Sequence, residues 1–280
     1  MPRSAPRWLA GALELLVPDR CLGCGGPRSS RRAPCGLCLP CFARLRRPFR
    51  PACSRCGRPL PSVAPTAAAL CGACRLDPPP IERLWALWEY RPPLDRVLRG
   101  LKFRRLDYLG EELAEVAADR LADELVARDP VDLIDLVVPV PLHWRRRWSR
   151  GFNQAERIAR PLARRLALGF GQPLTRPVAT RAQATLPRRS RLTGPRGAFK
   201  VPDPVLVAGR RLLLVDDVTT TGATLRAAAA ALLAAGARSV AALAVAAAPA
   251  PDHGAGDHDE SGYPGSPGTP TGNALHPLDG

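Results

Sequence analysis

The sequence predicts an α/β domain built on a parallel sheet, preceded by a small cysteine-rich module and followed by a disordered tail. Three observations carry that expectation. All nine cysteines of the 280-residue chain fall within the first 74 residues. From Ile81 to Ala247 short apolar runs alternate with longer amphipathic ones, as strands and helices taken in turn would. The last 32 residues hold six prolines, seven glycines and no basic residue, a composition that cannot bury a core. The expected divisions are residues 1–80, a cysteine-rich double zinc-finger module with a short N-terminal helix, 81–248, the α/β domain, and 249–280, an acidic tail.

Composition narrows the function. Hydrophobic residues make up 46% of the chain and charged residues 24%, which suits a packed, soluble body. The formal net charge is +16, which calls for an anionic partner. Lys102 and Lys200 are the only lysines, so the charge is carried by arginine and lysine chemistry has two places to act. Only His143 lies outside the tail, which argues against a histidine triad or a histidine-rich catalytic metal site. No apolar run reaches the ~18 residues of a membrane helix, and the nearest, 227–248, is broken by Gly236, Arg238 and Ser239. Arg3 and Arg7 precede an apolar stretch at 8–17, but Glu14 interrupts it and no small-x-small cleavage site follows. A short, largely buried helix is expected there rather than an export signal, and with it a cytoplasmic protein.

Eight of the cysteines form four C-x-x-C pairs, Cys21/Cys24, Cys38/Cys41, Cys53/Cys56 and Cys71/Cys74. Two residues between thiolates let both face one tetrahedral ion, and two pairs complete a four-thiolate shell. Gly25 and Gly57 follow the second cysteine of their pairs, where a left-handed turn wraps backbone N–H groups toward sulfur. A disulfide framework would need an oxidising compartment and sits poorly with an odd count. The pattern predicts structural zinc, two ions in all, shared either by neighbouring or by alternating pairs. Cys35 is left over, either as a spare ligand or as a small buried residue. Pro48, Pro51, Pro59, Pro61 and Pro65 break regular structure in this module, so metal binding would supply its folding free energy. The run Asp77-Pro-Pro-Pro80 reads as a linker.

Beyond it, residues 84–90 read as a short strand and 107–128 as an amphipathic helix with Leu109, Leu113, Val116, Ala117, Leu121 and Leu125 on one face. Residues 133–140 read as an apolar strand, and 154–168 as a helix despite Pro161. A fully apolar strand at 212–215, an alanine-rich helix at 224–235 stopped by Gly236, and a strand at 240–247 complete the alternation. Apolar strands of this kind imply a sheet covered on both faces, whose ligands bind at the carboxyl ends of the strands.

One strand end carries chemistry. Leu212–Val215 is followed by Asp216-Asp217-Val-Thr219-Thr220-Thr221-Gly222-Ala223-Thr224, two carboxylates and then a Thr/Gly-rich loop that opens a helix. Loop N–H groups and the helix start form a partly positive cradle for a phosphate, the hydroxyls add donors, and Gly222 lets the backbone come close. Adjacent carboxylates would repel that phosphate, so they are expected to face sugar hydroxyls, with Mg²⁺ between. A phosphorylated ribose satisfies both halves. A Walker-type nucleoside triphosphatase would need a G-x-x-x-x-G-K-[ST] partner, and neither lysine has those neighbours.

The segment 212–224 resembles the phosphoribosyl pyrophosphate motif of type I phosphoribosyltransferases. With the cysteine-rich front, and with Leu101-Lys-Phe-Arg104, Val138-Pro-Val-Pro-Leu142, Arg150-Gly-Phe-Asn-Gln-Ala155, Thr180-Arg-Ala-Gln183, Leu186 and Gly197-Ala-Phe199, the chain from about Leu13 to Ala247 is similar to the ComF family. The resemblance implies a Rossmann-like type I phosphoribosyltransferase fold that binds 5-phosphoribosyl 1-pyrophosphate with Mg²⁺. Asp216 and Asp217 would then hold the ribose hydroxyls, and Thr219, Thr220, Thr221, Gly222, Ala223 and Thr224 the 5′-phosphate. The turn after Pro139 (Val140, Pro141 and Leu142) and Arg150 would face the pyrophosphate. Arg145, Arg146 and Arg147 fit either that role or a solvated or DNA-contacting face. Residues 175–200 resemble the loop that covers the site, although Ser190 and Gly194 depart from the family's pattern. The implied reaction is pentosyl transfer to a nucleophile, for which the sequence offers no obvious general base and names no acceptor. The family's association with DNA uptake implies a second reading, a non-catalytic competence component that binds single-stranded DNA or a helicase partner. Residues 1–248 keep all 41 basic residues but 20 of the 25 acidic ones, a net charge of +21, and Trp144, Trp148 and Phe152 are available to stack on bases.

Overall fold

The structure is a computed structural model that describes residues 20–28, 33–48, 51–58, 60, 69–103, 106, 108–126, 134–142, 151–177 and 197–248. The expected helix at 8–17, Arg145–Arg147, Arg150, Trp144, Trp148, Ser190, Gly194 and the tail lie outside the described residues. The chain divides into the units Met1–Ala250 and Pro251–Gly280, and every described residue falls in the first.

Two short helices, α1 (Leu39–Ala43) and α2 (Gly72–Leu76), precede the sheet. Strands β1 (Leu84–Glu89), β2 (Leu136–Pro139), β3 (Gly169–Phe170), β4 (Arg211–Thr219) and β5 (Ser239–Ala247) form one sheet in the order β1-β5-β4-β2-β3. Every pairing is parallel, as the apolar alternation predicts. Helices α3 (Leu94–Phe103), α4 (Tyr108–Val126), α5 (Gln154–Arg165) and α6 (Ala223–Ala234) connect the strands, with a 3₁₀ turn at Pro204–Leu206. Successive strand residues point to opposite faces. Val137, Leu213, Val215, Leu243 and Val245 pack with Leu98, Leu113 and Ile158 of α3, α4 and α5. Leu136, Val138, Leu212, Leu214 and Ala242 pack on the other face with Leu225 and Leu232 of α6.

Two differences from expectation bear on the site. Strand β4 does not stop at Val215 but runs to Thr219, because the alanine run of β5 keeps pairing with it: Asp216 lies opposite Ala244 and Thr219 opposite Ala247. Helix α3 is an element that the sequence pattern does not announce. Its signal, Leu94, Val97, Leu98 and Leu101 at helical spacing, spans only ten residues and follows two prolines.

Pro161 is accommodated inside α5. A proline there has no N–H for the carbonyl of Arg157, and α4 approaches at that carbonyl. A Cβ on Gly110 would lie 2.5 Å from Arg157 O. Gly110→Ala must therefore push the two helices apart, and denaturant unfolding is expected to show a loss of about 1–3 kcal/mol. Unchanged stability would mean that the helices reseat freely.

The cysteine-rich segments cover the sheet's outer strand. Leu84 N–H donates to Ser54 O at 2.9 Å and Glu89 N–H to Arg46 O at 2.8 Å, so the outer edge of β1 is partly paired. Phe42 meets Trp88 edge to face, with ring centroids 6.3 Å apart. Glu112 on α4 accepts from Gly36 N–H at 2.8 Å, and Arg96 on α3 donates to Gly23 O.

Candidate functional site

The eight paired cysteines gather into two clusters, Cys21/Cys24/Cys38/Cys41 and Cys53/Cys56/Cys71/Cys74, each with its sulfurs within 4.8 Å of one another. Neighbouring pairs therefore share a site. The Cys24–Cys38 and Cys56–Cys71 sulfurs are 3.9 and 3.7 Å apart. Thiolates about 2.3 Å from a tetrahedral Zn²⁺ would be about 3.8 Å from each other, so both shells fit that ion.

The two sites repeat one turn. Gly25 N–H donates to Cys21 O and Gly57 N–H to Cys53 O, each at 2.8 Å, with the glycines at φ +75° and +71°. The turn aims N–H groups at sulfur, and Gly23 and Cys38 donate to Cys21 Sγ at 3.3 and 3.2 Å. Burial pushes the Cys21 thiol up, but the N–H groups of Cys24, Cys38 and Gly23 outweigh it and bring the pKa down to about 6. Burial acts on Cys53 too, and donors from Cys71, Cys56 and Arg55 lower it to about 7. Cys35 is fully buried, belongs to neither cluster, and is held as the neutral thiol by that burial. It is the small core residue of the two alternatives, not a spare ligand.

The acid pair sits near the carboxyl end of β4. Asp216 Oδ1 accepts from Asp217 N–H at 2.9 Å, and Asp217 Oδ1 from Val218 N–H at 2.8 Å. Burial, reinforced by the neighbouring Asp217 carboxylate, pushes the Asp216 pKa well above the ordinary carboxylate range. Two crowded carboxylates are hard oxygen donors, a set that suits Mg²⁺. Among the described residues the cation in contact is Lys102, whose Nζ lies 2.7 Å from Asp217 Oδ2.

Beyond the pair, Thr219 is buried, Thr220 is exposed and Thr221 is half-buried. Gly222 caps α6 at φ +73°, the left-handed conformation that favours glycine, and the first N–H of the helix, from Ala223, donates to Thr221 Oγ1 at 3.4 Å. The first N–H groups of α6 thus face the loop. Arg226, one turn into α6, donates to Thr221 O at 3.0 Å and brings a guanidinium to the same loop.

The turn that opens at Val140 stands beside the acid pair. Val140 N–H donates to Val215 O at 2.9 Å, one residue past the Pro139–Val215 pairing. Buried Asn153 caps α5, accepting from Ala155 N–H at 3.2 Å, and donates to Val140 O at 3.0 Å. The fold thereby sets Val140, where that turn opens, against the strand that carries Asp216, Asp217 and the 219–224 loop. Residues 175 and 200, which bound the expected covering loop, pair with each other, while 178–196 lie outside the described residues. Sequence reasoning misses Lys102 and Arg226 as site residues. Lys102 stands within the Leu101-Lys-Phe-Arg104 motif, and Arg226 lies four residues past Gly222, where a helix returns to the same face.

These features define a double zinc ribbon joined to a phosphoribosyltransferase-type domain. Residues 12–75 match the family described as double zinc ribbon domain, and residues 153–263 the one described as phosphoribosyl transferase domain. The chain belongs to the ComF family. It is 38% identical over 194 residues to DNA utilization protein YhgH of Salmonella typhimurium, covering 68% of this chain and 81% of that one. Competence protein F of Haemophilus influenzae is 28% identical over 145 residues, 52% of this chain and 59% of that protein. Among solved structures, the glutamine phosphoribosylpyrophosphate amidotransferase from B. subtilis is 21% identical with a TM-score of 0.31, covering 49% of this chain and 25% of that one. Among the described residues no helix is long and apolar enough to cross a membrane.

Proposed function

We propose that the protein binds 5-phosphoribosyl 1-pyrophosphate with Mg²⁺ at the end of β4. The observation that carries the reading is the continuity of Asp216 and Asp217 with a threonine-rich loop whose Gly222 opens α6 at a left-handed φ of +73°. In this reading the two carboxylates take the ribose hydroxyls, and the N–H groups and hydroxyls of residues 219–224 take the 5′-phosphate, with Arg226 adding charge. Val140, Pro141 and Leu142 offer the diphosphate a turn held in place by Asn153, and Arg150 follows it in sequence. Mg²⁺, when bound, neutralises the diphosphate and so favours its departure. The reaction this site serves is pentosyl transfer: the bond from C1 of the ribose to the diphosphate oxygen breaks, C1 bonds to a nucleophile, and pyrophosphate leaves. Thiolate-rich zinc ribbons belong in a reducing compartment, so the cytoplasm is the expected location. Calorimetric titration of the zinc-loaded protein with this ligand and Mg²⁺ tests the proposal. Saturable heat is the expected result, and its absence from folded protein would overturn it.

The names of the relatives and the net charge of +21 over residues 1–248 support a second role, binding single-stranded DNA or docking on a helicase of the uptake machinery. Single-stranded DNA affinity that falls steeply with salt, and persists without Mg²⁺, would favour it.

A further inference from the structure

We propose that Lys102 is the exchangeable cation of the acid pair. It neutralises Asp217 until a divalent cation or the ribose hydroxyls take that carboxylate, and it then passes to the anionic part of the ligand. The inference deepens the ribose-phosphate reading and rests on it for the identity of the ligand, but not for the contact itself.

The contact is close and partly withdrawn from water. Lys102 Nζ lies 2.7 Å from Asp217 Oδ2, with the side chains 21% and 16% exposed. Strand parity explains why it forms. Asp217 continues the row of Leu213 and Val215, which packs with Leu94, Leu98 and Leu101 of α3. Asp216 continues the row of Leu212 and Leu214, which packs with α6. Helix α3, which carries Lys102, and helix α6, which follows the 219–224 loop, therefore lie on opposite faces of β4.

The helix that carries Lys102 is anchored, so the side chain is the part that moves. Leu94, Val97, Leu98 and Leu101 are fully buried, and Arg96 donates to Gly23 O in the first ribbon. Lysine suits an exchange. Its single ammonium rides on a flexible stem, whereas arginine presents a rigid fork. The chain has 41 basic residues, of which Lys102 and Lys200 alone are lysines, and one of the two stands at this carboxylate. A divalent cation arriving at Asp217 would meet the ammonium at contact distance, and like charges so close repel strongly in a partly desolvated site. The ammonium must leave, and the diphosphate of the ligand offers it a fresh anion.

Because the chain has two lysines, reductive methylation with ¹³C-formaldehyde labels Lys102, Lys200 and the terminal amine and keeps their charge. Lys102→Arg assigns the Lys102 signal. Mg²⁺ alone is expected to shift it while Lys200 stays in place, and 5-phosphoribosyl 1-pyrophosphate with Mg²⁺ to shift it further. In parallel, Lys102→Met is expected to raise Mn²⁺ affinity roughly tenfold by removing the competitor and to weaken the ligand–Mg²⁺ complex by a similar factor, with partial recovery in Lys102→Arg. A Lys102 signal unmoved through both titrations, or a Met variant with unchanged affinities, would overturn the inference. If the sugar phosphate gives no heat and no shift while Mg²⁺ still moves Lys102, the ligand reading fails and the cation exchange stands. If both ligands bind and Lys102 stays in place, the exchange alone fails.

Discussion

Replacing Asp216 and Asp217 together with alanine is expected to abolish saturable binding of 5-phosphoribosyl 1-pyrophosphate and Mg²⁺ without unfolding the protein. Each carboxylate would supply charge-assisted hydrogen bonds to a ribose hydroxyl, worth about 1.5–3 kcal/mol apiece, so losing both weakens binding at least a hundredfold. Removing the hard oxygen donors costs Mg²⁺ its seat as well. Stability should fall far less than affinity, because the loss of Asp217 as partner of Lys102 is offset at Asp216. The raised Asp216 pKa reports a carboxylate destabilised by burial and by its neighbour, so its removal relieves the fold. The backbone pairing of β4 with β5 through Thr219 does not depend on these side chains. Calorimetry beside a thermal melt reads both quantities. Affinity within a few-fold of the parent protein would place the ligand elsewhere and reassign the acid pair to architecture.

Removing zinc has the larger effect on the fold itself, and the two sites should not respond alike. Structural zinc bound by four thiolates contributes on the order of 10 kcal/mol of folding free energy. In the first ribbon, Cys21, Cys35, Leu37 and Cys41 belong to the same core as Trp88, Leu98, Leu113 and Val215. Cys41→Ser is therefore expected to lose one zinc equivalent and to lower the cooperative unfolding of the whole described body. The second ribbon keeps a small core of its own, Cys53, Leu60, Ala69, Cys71 and Cys74. Cys74→Ser should also lose one equivalent, but its damage should be confined to that cluster and to the edge of β1, where Leu84 N–H loses the carbonyl of Ser54. Metal content by elemental analysis, with denaturant unfolding followed in both variants, tests the contrast. Equal destabilisation would show that the ribbons fold as one unit. Fewer than two zinc ions per parent chain would sink the assignment.

Much of this architecture is legible in the order of the amino acids. Four C-x-x-C pairs spaced by 13 and 14 residues announce two metal shells, because thiolate chemistry dictates the spacing. The apolar runs near 136–139, 212–215 and 240–247 announce a sheet covered on both faces, because a strand buried on both sides tolerates no polar alternation. The Asp-Asp-x-Thr-Thr-Thr-Gly run announces an anion cradle beside two carboxylates, because that chemistry lies within nine consecutive residues.

Sequence periodicity is silent on contacts made at a distance. It determines the classes of element, the metal ligands and the local motif, since each rests on neighbours a few residues apart. The pairing of neighbouring cysteine pairs, the burial of Cys35, the extension of β4 through Asp217, the packing of Gly110 on Arg157 O and the placing of Lys102 against Asp217 are decided by the tertiary structure alone. Each joins residues well separated along the chain, 115 apart for Lys102 and Asp217. What brings them together is the register of parallel strands and the packing of helices across two sheet faces, and neither leaves a short-range signature in the sequence.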